Sequence, residues 1–233
     1  REVSSYGNRL FCDRIGDGSL QHRWGTTTTY RAYFQDYRKF LERTEIVAAK
    51  ISETPRQIAV VQTDLRQFYD RVRPQELYRR IIALIAKDDQ DPRFLNLVEK
   101  VLDWAWHKDD AKLAADYATE AEIENFDRIA LPQGLVSAGF FANIALLEFD
   151  AFLHGNIGKN TDSDIQLHDY SRYVDDIRLV LSLGSSKSIK EAEEEVVVGM
   201  SEMLKEHAPG MKVSTDKTKL ALFRGDERPL IRQ

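Results

Sequence analysis

The sequence predicts an α+β fold, an antiparallel sheet with helices packed on one face. Three observations carry that expectation. A short β-branched run at residues 58–63 ends at Asp64. Apolar residues at helical spacing stand on both sides of that run. Two further apolar stretches flank an Asp-Asp pair at 175–176 with the composition of a β-hairpin.

Taken in order, residues 29–51 set Tyr30, Phe34, Tyr37, Phe40, Leu41 and Val47 at roughly helical spacing among Arg, Lys and Glu, which predicts an amphipathic helix. The run 58–63 is then a strand buried in a sheet and ended at a site. Pro74 stands where a helix begins, and Leu77, Ile81, Ile82, Leu84 and Ile85 give 75–86 its apolar face. A second helix is expected over 93–107. Residues 109–127 are so highly charged that they read as a solvated helix or an insertion. After the turn at 131–134, one long apolar helix is expected over 137–153, with Gly155 at its C-cap. Tyr170, Tyr173 and Val174 precede the Asp pair, and Ile177, Leu179, Val180 and Leu181 follow it. Residues 188–207 form a helix with Glu on one face and Ile189, Val196, Val197, Met200 and Leu204 on the other, ended by Pro209 and Gly210. Two short strands, 212–214 and 220–223, close the pattern.

Composition bounds the function. The chain has 233 residues, 42% of them hydrophobic, enough for a sizeable core in one domain or two closely packed subdomains. A net charge of -5 argues against a surface that grips nucleic acid all over, but not against an acidic catalytic centre offset by cations. The single cysteine, Cys12, excludes an internal disulfide framework and fits a reducing cytosol. The longest apolar runs, such as 81–86, fall far short of the roughly 18 residues of a membrane span. The chain opens on Arg1 with no signal-peptide pattern and stops at ERPLIRQ, which reads as an excerpt of a longer protein.

Chemistry concentrates in three carboxylates. Asp64 ends a central strand, and Asp175 and Asp176 occupy a hairpin far along the chain; adjacent strands would bring all three together. Alone, Asp64 reads as well as a strand cap, and the Asp pair as a solvated turn. Gathered at one point, like charges are costly unless cations are bound. Mg²⁺ prefers hard oxygen ligands, and two such ions separated by about 3.5–4 Å activate a hydroxyl and stabilise a leaving pyrophosphate oxygen.

The segments carry a resemblance in order. DLRQFYD at 64–70 resembles motif A of reverse transcriptases, LPQG at 131–134 with Ser137 and Asn143 is similar to motif B, YVDD at 173–176 to motif C, and Lys217-Thr218-Lys219 to motif D. SSYGNRL at 4–10 resembles the block upstream of motif A, with Asn8 for Phe and Leu10 for Pro, and GFFAN at 139–143 replaces the usual SPxLxN. With those departures the chain looks most like the abortive-infection and unknown-group bacterial enzymes of phage defence.

The resemblance implies a polymerase palm with a ferredoxin-like or RRM-like core over 58–233, residues 109–127 being an insertion, and a partial fingers region over 1–57. The earlier fingers blocks and the thumb would lie outside these residues. It implies an RNA-directed DNA polymerase, a nucleotidyltransferase. Two Mg²⁺ ions would be held by Asp64, Asp175, Asp176 and the Leu65 carbonyl, Asp176 having a hydrogen-bonding role as its alternative. Tyr69 would lie under the deoxynucleotide sugar and exclude a 2′-hydroxyl, with Phe68 beside it. Gln133 would hydrogen-bond the nucleotide, Gly134 would let backbone approach base or template, and Lys217 or Lys219 would serve the leaving pyrophosphate. Each has a plainer reading, as core aromatic, helix-entry turn or surface lysine. Arg172 and Arg178 read as primer-phosphate contacts or as solvated strand-edge charges.

The partners implied are dNTPs, an RNA template, a dedicated noncoding RNA among the candidates, and a DNA product. No membrane is expected, a homo-oligomer is allowed for, and the cytoplasm of a prokaryote is the expected location. Synthesis without a template or from a protein primer stays open within the family. An RNA-directed RNA polymerase is disfavoured by Tyr69 and Val174. A non-catalytic RNA-binding scaffold is disfavoured by the three retained acids and the acidic charge balance.

Overall fold

Strand β3 (Gln57–Asp64) runs through the middle of a four-stranded antiparallel sheet because its alternate residues find apolar partners on both faces. The computed structural model of the chain describes residues 5–9, 12–14, 20–22, 29–52, 56–159, 164–184 and 187–223. Ser4 and Leu10 of the upstream block and the ERPLIRQ end lie outside the described residues. A small ribbon, β1 (Cys12–Arg14) with β2 (Leu20–His22), stands apart from the main sheet. The strand order is β6-β7-β3-β8, with β6 (Ile165–Tyr173) and β7 (Asp176–Leu183) forming the expected hairpin and β8 (Lys219–Leu222) on the far edge.

Period-two alternation divides the sheet into two apolar faces. Ala59 and Val61 pair with Leu181 and Leu179, and these four join the main core. The helices over that face are α3 (Pro74–Leu84), α6 (Val136–Ala145), α7 (Leu147–Asn156) and α8 (Ile189–His207), contributing Leu77, Ala142, Phe149 and Met200. Helix α4 (Pro92–Leu102) adds Val98 and Leu102. Ile58, Val60 and Val180 point the other way and pack on Ala48, Val47 and Ile51 of α1 (Tyr33–Ile51). So the palm-like helices keep to one face, while α1, from the part read as fingers, covers the second. An ion pair fastens it: Arg43 gives both Asp169 oxygens a donor, at 2.7 and 2.6 Å.

Three elements differ from expectation. The long helix at 137–153 is two helices, α6 and α7, meeting at Leu146 with a bend of 45°, and Gly155 lies within α7. A stretch apolar all round carries no face preference, so its pattern is silent about a bend. The second helix stops at Leu102 rather than reaching 107. Trp104 and Ala105 form β4 (Trp104–Ala105) against β5 (Arg128–Ile129), and Trp106 Nε1 donates to the Phe126 carbonyl at 2.8 Å. Finally, 212–214 is not a regular strand; Val213 makes a single bridge to Leu65.

The charged segment at 109–127 is a closed excursion with its own small core. Helix α5 (Ala111–Ala121) buries Ala114, Ala118 and Ala121 against Ile123 and Phe126, and its charges face out. Arg71 at the end of α2 (Phe68–Arg71) ties the excursion to the loop after β3. Fully buried, it donates to the carbonyls of Arg66, Glu122 and Ala121 and to Gln67 Oε1. No single helix among the described residues is long and apolar enough to cross a membrane.

Arg71→Met keeps the volume but strips these acceptors of their donors. We expect a loss of about 1–3 kcal/mol in denaturant unfolding, with faster proteolysis within 103–130 than elsewhere.

Candidate active site

The ladder between β3 and β7 sets Asp64 directly across from Asp176, the first residue of β7. Val174 and Asp175 make the two-residue turn between the paired Tyr173 and Asp176. The Leu65 N–H donates to the Asp175 carbonyl at 3.2 Å, so the exit from β3 is sewn to the turn. The Leu65 side chain itself is buried in the core.

A third strand segment arrives irregularly. Arg66 N–H donates to the Lys212 carbonyl and Ser214 N–H to the Asp64 carbonyl, both at 2.9 Å, around the Leu65–Val213 bridge. Pairing resumes at Gln62–Lys219, and between these points the register changes by three residues. The surplus, 215–217, bulges out beside Asp64. Thr218 pins its base, with its N–H and Oγ1 on the Ser214 carbonyl and a 2.7 Å hydrogen bond between Oγ1 and Thr63 Oγ1. The bulge brings Lys217 Nζ to 2.6 Å from Asp64 Oδ2.

These segments enclose a mostly polar cavity of about 540 Å³. Asp64, Leu65, Tyr69, Gln133, Asp175 and Lys217 all line it. Phe68 also borders it, but its ring is buried in the core edge-on to Tyr69, 5.3 Å between centroids. Asp176 pairs with Asp64 but does not line the cavity, and neither does Lys219, which sits in the β8 ladder. Gly134 has φ +97° with open space where a Cβ would stand, so backbone conformation rather than crowding calls for glycine there. Arg66, Ser214 and Asp216 line the cavity as well and were not singled out from sequence. Arg66 alone had a signal, a cation two residues past the first acid.

Two arginines depart from both sequence readings. Arg172 is wholly buried, with Nε and Nη2 on the two oxygens of Asp150 at 2.9 and 2.6 Å, out of reach of a primer. Arg178 is nearly buried, its guanidinium 5.5 Å from the Phe40 ring centroid. Asn143 is equally committed, accepting from the Ser5 hydroxyl and donating to the Gly7 carbonyl.

The electrostatics are those of crowded, half-buried acids. Burial first, then the charges of Asp175 and Asp64, push Asp176 up to about 6 from an ordinary 3.8. Asp175 is raised by burial and by Asp64. Lys217 is raised by its hydrogen bond to Asp64 and so stays charged. Burial also raises Tyr69, against a hydrogen bond from the Asn8 side chain that lowers it.

Does the donor set fit divalent cations? Asp64 Oδ1 is buried and has no hydrogen-bond partner, an acceptor aimed at nothing in the protein. Among the described residues no three Asp, Glu, His or Cys side chains close into a ready-made cage. Two carboxylates opening on a polar cavity are nevertheless what Mg²⁺ uses when water and phosphate complete its shell. The residues fit.

Comparison with known proteins gives one family. The family described as reverse transcriptase (RNA-dependent DNA polymerase) matches residues 21–229. Among solved structures, apo telomerase from Candida tropicalis truncated from its C-terminal domain is similar at 15% identity and a TM-score of 0.44, over 83% of this chain and 36% of that one. Telomerase from Candida albicans in complex with a TWJ fragment of telomeric RNA is similar at 14% identity and a TM-score of 0.45, over 84% of this chain and 31% of that one. The chain thus spans about a third of those proteins. No curated protein matches.

The raised Asp176 carries a pH signature. Its folded pKa lies above the unfolded value, so its stabilising share is fully present below pH 3.8 and is lost as pH rises through about 6. Asp176→Asn should therefore stabilise the protein in chelator at pH 8 by about 1 kcal/mol, allowing for partial exposure, or roughly 2–4 °C in Tm. The gain should vanish near pH 4 in thermal melts.

Proposed function

Because the chain belongs to the reverse transcriptase family, we propose that it is the catalytic region of an RNA-directed DNA polymerase that adds deoxynucleotides to a 3′-hydroxyl. The observation that carries the reading is the shared cavity: Asp64 and Asp175 open on it together with Tyr69, Gln133 and Lys217. Two carboxylates, a sugar-sized aromatic floor, an amide and an ammonium are the parts that phosphoryl transfer needs for position and charge.

Each side chain has a task in that reading. Asp64 and Asp175, with the Leu65 carbonyl, would hold two Mg²⁺ ions, with Asp176, paired with Asp64 across the ladder, as a further ligand or a hydrogen-bonding group. Bound there, the cations would supply the charge that activates the attacking hydroxyl and stabilises the leaving oxygen. Tyr69, lining the cavity, would lie under the sugar, where a ring rejects a 2′-hydroxyl by exclusion. Gln133 offers both a donor and an acceptor to the incoming nucleotide. Lys217, charged and at the mouth of the cavity, gives a proton or positive charge to the departing pyrophosphate.

We further propose a role in bacterial antiphage defence, in the cytoplasm of a prokaryotic cell. Its support is the pair of departures at 4–10 and 139–143, which resemble the defence-associated branch. The template in that setting would be an RNA, a dedicated noncoding RNA being the specific candidate. Untemplated or protein-primed synthesis is the alternative within the same chemistry.

The test is incorporation of labelled dNTPs and NTPs with Mg²⁺ by the full-length protein, with and without added template. The wild type should use dNTPs, and the Asp175→Asn/Asp176→Asn pair should fall to background while still binding RNA. Equal incorporation by that pair would remove the assignment of the site. Tyr69→Ala should raise ribonucleotide use roughly tenfold or more, the scale of a steric mismatch in a pocket; unchanged sugar discrimination in single-nucleotide assays would remove the gate.

A further inference from the structure

The turn that carries Asp175 is built on a residue ill suited to it. Val174 has φ +57°, a left-handed conformation in which a β-branched side chain is strained. Such a residue persists only where its surroundings over-determine it. Two grips do so here.

The first comes from beneath. Arg172 is fully buried, and its Nη1 donates to the Val174 carbonyl at 2.7 Å. Its Nε and Nη2 are spent on Asp150, which also accepts from the Tyr170 hydroxyl. A buried guanidinium with both carboxylate oxygens engaged is fixed in position as well as neutralised. Nη1 reaches Asn143 Oδ1 too, at 3.3 Å. Asn143 and Asp150 stand on α6 and α7, on either side of the bend at Leu146. Arg172 therefore joins the bent helix pair to the turn.

The second grip comes from above. Asn143 Nδ2 donates to the Gly7 carbonyl and its Oδ1 accepts from Ser5 Oγ, both at 2.9 Å, while Tyr6 N–H donates to the Arg172 carbonyl at 2.8 Å. Gly7 is pressed so close that a Cβ there would stand 2.6 Å from both Val174 N and Val174 Cγ2.

We propose that Arg172, with Asp150 and Asn143 behind it, is a positioning residue for polymerisation: it holds the Val174 carbonyl, keeps the turn left-handed and so keeps Asp175 in the cavity with Asp64. None of the three lines the cavity. The inference rests on the polymerase reading for its consequence in catalysis, but the coupling of Arg172 to Val174 can be measured apart from activity.

The experiment is a double-mutant cycle in the full-length protein, Arg172→Lys with Val174→Gly. Lysine keeps the charge beside Asp150 but cannot serve both Asp150 and the turn. Glycine adopts positive φ unaided, so it removes the need for the grip. Arg172→Lys should lower kcat about tenfold or more, since small misplacements at a reacting centre are costly, with KM for dNTP changed less than about twofold. In the Val174→Gly background the same substitution should cost less than about threefold. Equal losses in both backgrounds, or no loss in either, overturn the proposal. If the wild type incorporates nothing, the polymerase reading falls, and the cycle is read from thermal melts: a smaller Tm loss from Arg172→Lys in the Val174→Gly background upholds the grip, and equal losses overturn it. Asn143→Ala, which leaves the Asp150 ion pair whole, runs through the same cycle if Arg172→Lys does not fold.

Discussion

Eight consecutive pairs lock β3 to β7, from Gln57 with Leu183 to Asp64 with Asp176. A slip of one residue would exchange the two faces of the sheet, sending Ala59 and Val61 out of the core and Ile58 and Val60 into it. Because both faces are buried, neither alternative register is tolerated. Asp64 is thereby fixed opposite the hairpin, and every other part of the site is placed with respect to that pair. The bulge at 215–217, the Leu65 bond to the turn and the bent helices behind Arg172 are all built outward from one ladder.

Crowding acids at the end of that ladder has a cost, visible in the raised affinity of Asp175 and Asp176 for protons. The fold offsets it locally. Lys217 neutralises Asp64, while Arg172 is kept away by its own carboxylate, Asp150. Charge for chemistry and charge for architecture are separated within a few residues of each other. A site that repels itself when empty of cations is a strained site by design, and its tendency to relax is an electrostatic driving force for binding positive charge.

Much of this was legible in the sequence, for identifiable reasons. The β-branched run before Asp64 and the apolar flanks of the Asp pair are short-period patterns that report directly on strands, and they placed the sheet and its acids correctly. Ser188 through His207 read as a helix from the spacing of Val196, Met200 and Leu204, which are buried, although Ile189 of the expected face is exposed, and the capping box of Ser188 and Glu191 explains its sharp start. The break at Leu146 was invisible because α6 and α7 are apolar on most sides. The bulge that brings Lys217 in, and excludes Lys219, is a register change, which composition does not encode. Arg172 misled for a similar reason: an arginine beside acids looks solvated, and its partner Asp150 lies 22 residues away on another element.

The hydrogen bond from Lys217 to Asp64 also sets the terms on which any ligand enters. An ammonium anchored in a short bulge meets its carboxylate at an effective concentration far above that of a free ion. A bare cation arriving from solution therefore competes with a tethered one. Under the proposed reading, a polyphosphate entering the cavity would offer Lys217 another anion and so would uncover Asp64 where phosphates could complete a cation's shell. On that same reading, occupancy of the carboxylates would depend on substrate, the Lys217–Asp64 ion pair being the contact that has to be exchanged.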